Sequence, residues 1–297
     1  MISALRMFRL ALMILSGVFG TLLNFSIVVV YFDLWRKVGD GCRYNVILLI
    51  IGLVNLSYQC CLTIDNVFKF SQIYELFDKK FCLLLFSLQF ALIGLSLWNT
   101  VWLSILYCVR LVNSSQWLFL RIKEKFFCFL PQLMVGSVLW SISIALPIFW
   151  ETSMETPQNN TDYMTICSYN MNVYYIIPSL LLGVAIPVSI TCFSIGLSVR
   201  TLVRHIFSMR NSHITSPQLQ GHFQAVRTLS VRVFLEIVFF IVIVMVTFTS
   251  LRSNPTMEAI CWVNIMIYPT SQALILVFGN PTLKKKLCDC LMIWKRL

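Results

Sequence analysis

Ionisable side chains are scarce in the apolar stretches of this chain, so the few that occur there define its possible chemistry. Arg232 and Glu236 stand four residues apart. On a helix that spacing puts them on one face. Each lowers the other's burial cost, and the expectation is an internal ion pair that rearranges between two states. The other reading is a snorkelling Arg232, with Glu236 held by a neighbouring helix. Asp65 sits near the end of another apolar stretch. It could meet a ligand amine or reach interfacial water, and both readings stay open. Glu258 opens the last apolar stretch, where a carboxylate is favoured by the helix dipole and is also available to a cationic ligand. No Gly-rich phosphate loop or Ser/His/Asp set appears. The 11 cysteines lack CxxC or His-rich metal spacing. Catalysis, a cofactor and a metal are not expected.

Such groups need an apolar frame, and the composition supplies it. The chain has 297 residues, 58% hydrophobic and 12% charged, with mean hydropathy +0.81. A soluble domain carries about a quarter charged residues. A soluble enzyme and a coiled coil are therefore excluded, and 14% aromatic content excludes disorder. The net charge of +11 has no soluble face on which to bind nucleic acid, so it is read as loop topology and contact with membrane lipid.

Seven apolar runs stand out, at about 10–32, 46–68, 82–109, 126–150, 173–199, 229–250 and 258–279. Each approaches or exceeds the roughly 20 residues a span requires. Backbone groups in hydrocarbon must be satisfied locally, so the runs are helices. The expectation is one all-α, seven-helix membrane domain over 1–297, ending in a short basic tail at 280–297. One alternate set of loops, counted with the span ends beside them, holds 17 of the 23 Lys and Arg residues. The positive-inside rule then places the N-terminus outside and the C-terminus in the cytoplasm.

This orientation gives the remaining residues their expected roles. Asn159-Asn160-Thr161 lies in the longest outer loop and reads as a glycosylation acceptor at Asn159. Cys82 opens the third run on the outer side, and Cys167 lies in the same outer loop. They are either a bridge or two free thiols, and the oxidising exterior favours the bridge. Cys288 and Cys290, beside basic residues, suit palmitoylation or nothing. Phe86, Gln89, Phe90 and Ile93 share one face of the third run. One amide in an apolar face suits a small-molecule cleft, or plain helix packing. Phe240, Ile243 and Thr247, Cys261 and Trp262, and Tyr174 at the mouth are further candidates for that cleft. On the inner side Tyr107, Arg110, Lys123, His205, His222 and Arg227 edge a cleft that a partner helix could enter.

Seven helices with an outer N-terminus suggest a G-protein-coupled receptor, but the rhodopsin-like hallmarks are absent. The third run ends Leu106-Tyr107-Cys108, the seventh holds Tyr268-Pro269-Thr270-Ser271-Gln272, and the sixth lacks proline. Instead, Trp98-Asn99-Thr100-Val101-Trp102-Leu103-Ser104-Ile105-Leu106-Tyr107-Cys108-Val109-Arg110 followed by Asn113-Ser114-Ser115 resembles the third-helix signature of the bitter taste receptor family (type 2 taste receptors). Thr201-Leu202-Val203-Arg204-His205-Ile206-Phe207-Ser208-Met209 is similar to that family's fifth-helix ending. Gly221-His222-Phe223-Gln224-Ala225-Val226-Arg227 is similar to its approach to the sixth helix. Tyr268-Pro269-Thr270-Ser271 and Gly279-Asn280-Pro281-Thr282-Leu283-Lys284 fit the seventh helix and its end. The segments occur in order along nearly the whole chain.

Two departures are informative. Asn55 stands where the family shows Arg, and Tyr268 where it shows His, so the internal polar lock is expected to differ. The resemblance implies a plasma-membrane receptor for bitter, mostly apolar small molecules. It implies a pocket among the outer halves of helices three, five, six and seven, and coupling to a heterotrimeric G protein of the gustducin/transducin type. Pro269 joins Arg232 and Glu236 as an expected switch element. A type 1 vomeronasal-like pheromone receptor is the near alternative. A transporter or channel would need a continuous polar path, for which Asp65, Arg232 and Glu236 are thin support.

Overall fold

The computed structural model describes residues 2–38, 43–71, 79–111, 117–155, 168–211, 217–247, 255–280 and 283–288. Helices dominate. α1 (Ile2–Val38), α2 (Arg43–Phe70), α3 (Lys79–Leu111) and α4 (Trp117–Ala145) are followed by the short α5 (Ile148–Glu151). α6 (Val173–Leu180) leads through a π-helical turn, Leu181–Ala185, into α7 (Ile186–Asn211). α8 (Pro217–Thr247) and α9 (Pro255–Gly279) complete the bundle. Seven spans are long and apolar enough to cross a bilayer: Leu10–Lys37, Asn45–Phe68, Lys80–Val109, Cys128–Trp150, Val173–Arg204, Ala225–Thr247 and Ile260–Gly279. The chain is a seven-helix transmembrane bundle.

Several helices run beyond the apolar runs that predict them. α8 begins at Pro217, well before its apolar stretch, because a helix continues into water once its ladder has formed. The fifth span is interrupted at Leu181–Ala185. Pro187 has no N–H to return to Gly183, and the ladder there widens to the π pattern. Pro147 likewise separates α4 from α5. The stretch read as an outer loop contains two short strands. β1 (Thr152–Glu155) and β2 (Ser168–Met171) pair antiparallel, Thr152 opposite Met171 and Glu155 opposite Ser168. This hairpin marks one end of the bundle. The short helical segment at 283–288, after α9, marks the other.

Two apolar cores lie along the bundle axis. The tail-side core holds Ile27, Tyr31, Leu48, Leu106, Leu130, Ala273 and Leu283. The hairpin-side core holds Tyr58, Leu62, Leu97, Leu180, Phe239, Ile243 and Tyr268. The outward faces are apolar too, with Phe19, Leu22, Phe25 and Leu139 all exposed. In a bilayer those faces meet hydrocarbon at no cost. α3 sits centrally, packed on α2, α4 and α7.

Candidate functional site

A polar layer separates the two cores, and α8 brings its charges there. Arg232 and Glu236 are buried, 3% and 1% exposed. They face different helices. Arg232 Nη2 donates to Thr100 Oγ1 of α3 at 2.9 Å. Glu236 accepts from Gln272 Nε2 of α9 at 2.6 Å. Its two carboxylate oxygens each lie 3.2 Å from Tyr268 OH, which also accepts from Gln272 Nε2 at 2.9 Å. The direct ion pair expected from the four-residue spacing is absent: among the described residues no N–O contact within 4.0 Å joins Arg232 to Glu236. The reason is competition. Tyr268 and Gln272 hold the carboxylate mainly toward α9, and Thr100 of α3, which receives the guanidinium, stands between the two charges. The layer thereby ties α8 to α3 on one side and to α9 on the other.

The α1–α2–α3 side of this layer is neutral. Ser96 Oγ donates to Asn55 Oδ1 at 3.1 Å, and Thr270 Oγ1 donates to Gln59 Oε1 at 3.2 Å. Asn24 Nδ2 returns to Gly20 O at 2.9 Å. Asn55 Nδ2, Gln59 Nε2, both amide atoms of Asn99, Arg232 Nε and Gln272 Oε1 are buried without a protein partner. A cluster of such atoms in hydrocarbon is costly unless small polar molecules fill it. Pro269 is buried between Tyr268 and Thr270. Its missing N–H weakens the α9 ladder where the polar contacts lie.

The hairpin-side core abuts this layer. Phe239 stacks on Tyr268 with ring centroids 3.7 Å apart. Ile243 is buried in the same core, and Ile93, Phe240 and Trp262 pack against it. Cys261 is buried, and Thr247 Oγ1 donates to the Ile243 carbonyl at 2.7 Å. Gln89 Nε2 is buried with no protein partner. Phe86 is partly buried. Phe90 and Ile93 also line a crevice toward α4, so the α3 stripe serves two surfaces rather than one cleft.

Asp65 is buried, 3% exposed. Beside it, Asn66 Nδ2 contacts Met266 Sδ of α9 at 3.3 Å. Tyr174 is 89% exposed and points away from the core. Its neighbour Tyr175 instead donates to the Ile144 carbonyl of α4.

On the tail side, Tyr107 packs against the apolar core and Arg227 is exposed. Cys82 is buried at the start of α3. Asn159 and Cys167, and the side chains of Arg110, Lys123, His205, His222 and Glu258, lie outside the described residues. Among the described residues no group of three His, Cys, Asp or Glu is placed to hold a metal.

Sequence reasoning centred on charges missed Thr100, Asn99, Gln59, Ser96 and Gln272. Their signal is uncharged polarity at one depth in three apolar runs, the second, third and seventh.

The arrangement joins three helices through two buried charges, beneath an aromatic-lined core. It suits recognition and a change of helix packing. The model of the taste receptor protein (TAS2R) family matches residues 1–295. Named relatives agree. The chain is 26% identical to chicken taste receptor type 2 member 40, over 96% of this chain and 94% of that protein. It is 29% identical to bonobo taste receptor type 2 member 41, over 98% and 97% of the two chains. Rat taste receptor type 2 member 41 is 27% identical over 77% of each.

Proposed function

The chain belongs to the taste receptor protein (TAS2R) family, and from that premise we propose that it is a G-protein-coupled receptor for bitter, mostly apolar small molecules. The hairpin end faces outside and the tail faces the cytoplasm of a plasma membrane, in keeping with the Lys/Arg bias of the loops. The ligand sits in the hairpin-side half, against Gln89, Ile93, Phe240, Ile243, Cys261 and Trp262, with Glu258 at the mouth. Binding there shifts a two-state bundle toward the form whose tail side is open. A heterotrimeric G protein of the gustducin/transducin type docks on that side, at Tyr107, Arg110, Lys123, His205, His222 and Arg227.

One observation carries this reading. The polar layer joins α8 to both α3 and α9 immediately beneath the ligand-facing core. A ligand that moves Phe239 or Tyr268 pulls directly on Glu236, and through it on the contacts that set α8. Arg232, Glu236 and Pro269 are the switch in this scheme, with Thr100 between the charges.

The test is calcium recording in cells carrying a chimeric taste-coupling G protein, against a panel of bitter compounds. A compound-specific response is expected. Ile243→Ala should weaken potency, and Tyr107→Ala should cut the maximal response without changing surface staining. Silence of the parent chain despite surface staining would defeat the agonist reading and move weight to a pheromone-type receptor.

A further inference from the structure

α3 and α4 repeat one Trp–Ser pairing a helical turn apart, and the two copies differ. Trp102 Nε1 donates to Ser137 Oγ at 2.7 Å. One turn nearer the hairpin, Trp98 stacks on Trp102 with centroids 5.7 Å apart. Its counterpart on α4 is Ser141. This second pair is not joined: Trp98 Nε1 and Ser141 Oγ are both buried and have no protein partner.

A crevice lies where the second pair stays open, between α3, α4 and the π turn. Two glycines keep it open. A Cβ on Gly94 would come within 3.2 Å of Ser141 Oγ, and one on Gly183 within 3.7 Å of Ile144 Cγ2. The whole crevice has about 10 Å³ of cavity, room for one water-sized group such as a hydroxyl, so anything larger attached to that group lies in the open mouth against the walls. Its walls are apolar and aromatic, including Phe90, Trp140 and Ile144, with no charged side chain among the lining residues. Trp140 is 41% exposed, and Leu139 and Leu181 beside the crevice are exposed as well. The mouth therefore opens on hydrocarbon.

We infer that this crevice is a second binding site, entered from the bilayer, for a small neutral alicyclic alcohol of about monoterpene size. The floor offers two N–H or O–H donors and one hydroxyl acceptor. A single hydroxyl accepts from Trp98 and exchanges a hydrogen bond with Ser141, while its ring packs on Trp140 and Ile144. A charged ligand would be stripped of water with no counter-ion to meet it. A lipid anchored by a headgroup at the interface does not fit either, because Gly94 lies mid-way along the span Lys80–Val109. The occupant wedges against the π turn, the one interruption of the fifth span, and so biases how α6 and α7 pack. The inference needs a bilayer-embedded chain but no agonist response, so it stands or falls separately from the proposed signalling role.

The experiment uses the full chain in phospholipid nanodiscs, a diazirine analogue of menthol as photolabel, and mass spectrometry to place the label. Labelling is expected within residues 139–144 or 181–184. Excess menthol should compete, and menthane, which lacks the hydroxyl, should compete about fivefold more weakly. Trp98→Phe keeps the stack and removes the N–H, and should weaken labelling by a similar factor. Gly183→Val fills the crevice and should abolish it. Three results would overturn the inference: labelling spread evenly over exposed helix faces such as α1, labelling indifferent to both variants, or no saturable labelling at all. The last would mean that the floor holds water alone.

Discussion

The tail-side and hairpin-side halves of the bundle are both apolar, yet they are closed in different ways. The tail side is pinned by direct bonds between distant parts of the chain. Asn280 Nδ2 donates to Tyr31 OH at 2.8 Å, and Leu283 is 1% exposed in the core. Asp33 pairs with Lys37 at 2.8 Å and reaches Lys286 at 3.8 Å. Gly279 lets α9 close on Thr228 of α8. The hairpin side leaves gaps. Its fifth span is broken by a π turn, the second Trp–Ser pair is open, and the amide nitrogen of Gln89 has no protein partner. Gaps of this kind are what a small molecule can fill. Interdigitated packing, by contrast, transmits a change of helix position.

The polar layer between the halves carries the largest expected effect. Glu236→Leu strands the Arg232 guanidinium in a buried site. We expect a loss of about 3–5 kcal/mol, seen as collapse of the monodisperse peak in fluorescence-detected size exclusion. Replacing both, Arg232→Met with Glu236→Leu, should restore most of the folded population. A double variant as poor as the single would show that the two charges are not mutually compensating.

Glycines separate the halves at the next level. A Cβ at Gly279 would fall 2.6 Å from Thr228 Cγ2, whereas one at Gly183 meets ordinary van der Waals space. Gly279→Ala should cost about 1–3 kcal/mol through overpacking. Gly183→Ala should stay within about 0.5 kcal/mol. Thermal unfolding in nanodiscs reads both, and equal losses would erase the contrast.

Tyr31→Phe removes one partly buried hydrogen bond and should cost about 1 kcal/mol in the same assay. The smallest effect is at the surface. Lys286→Ala loosens a partly exposed contact, and its cost should stay under about 0.5 kcal/mol and vanish at high salt. A larger, salt-resistant loss would mean that the 283–288 segment is held mainly by that charge and not by Leu283.

Much of this was readable without coordinates. Seven apolar runs at 12% charged residues leave no other architecture, because hydrocarbon admits few ways to satisfy a backbone. The segments from Trp98 to Arg110, and from Tyr268 to Lys284, carried the family. The burial of Arg232 and Glu236 followed from their place in a run.

Their partners did not follow. Spacing along one helix gave the i,i+4 pair, but a side chain's choice of neighbour depends on helices far away in sequence. Thr100 is 132 residues from Arg232, and Gln272 is 36 from Glu236. The same holds for Phe90 and Ile93, placed on one face by periodicity: both line the crevice toward α4, and Ile93 also packs on the core. Tyr174 and Tyr175 are adjacent in sequence, and only the docking of α6 on α4 decided which one turns inward. Sequence set what each helix would present, since hydrophobic patterning is a local property. Tertiary packing set which presented groups meet and which remain open, since that depends on the relative positions of several helices at once.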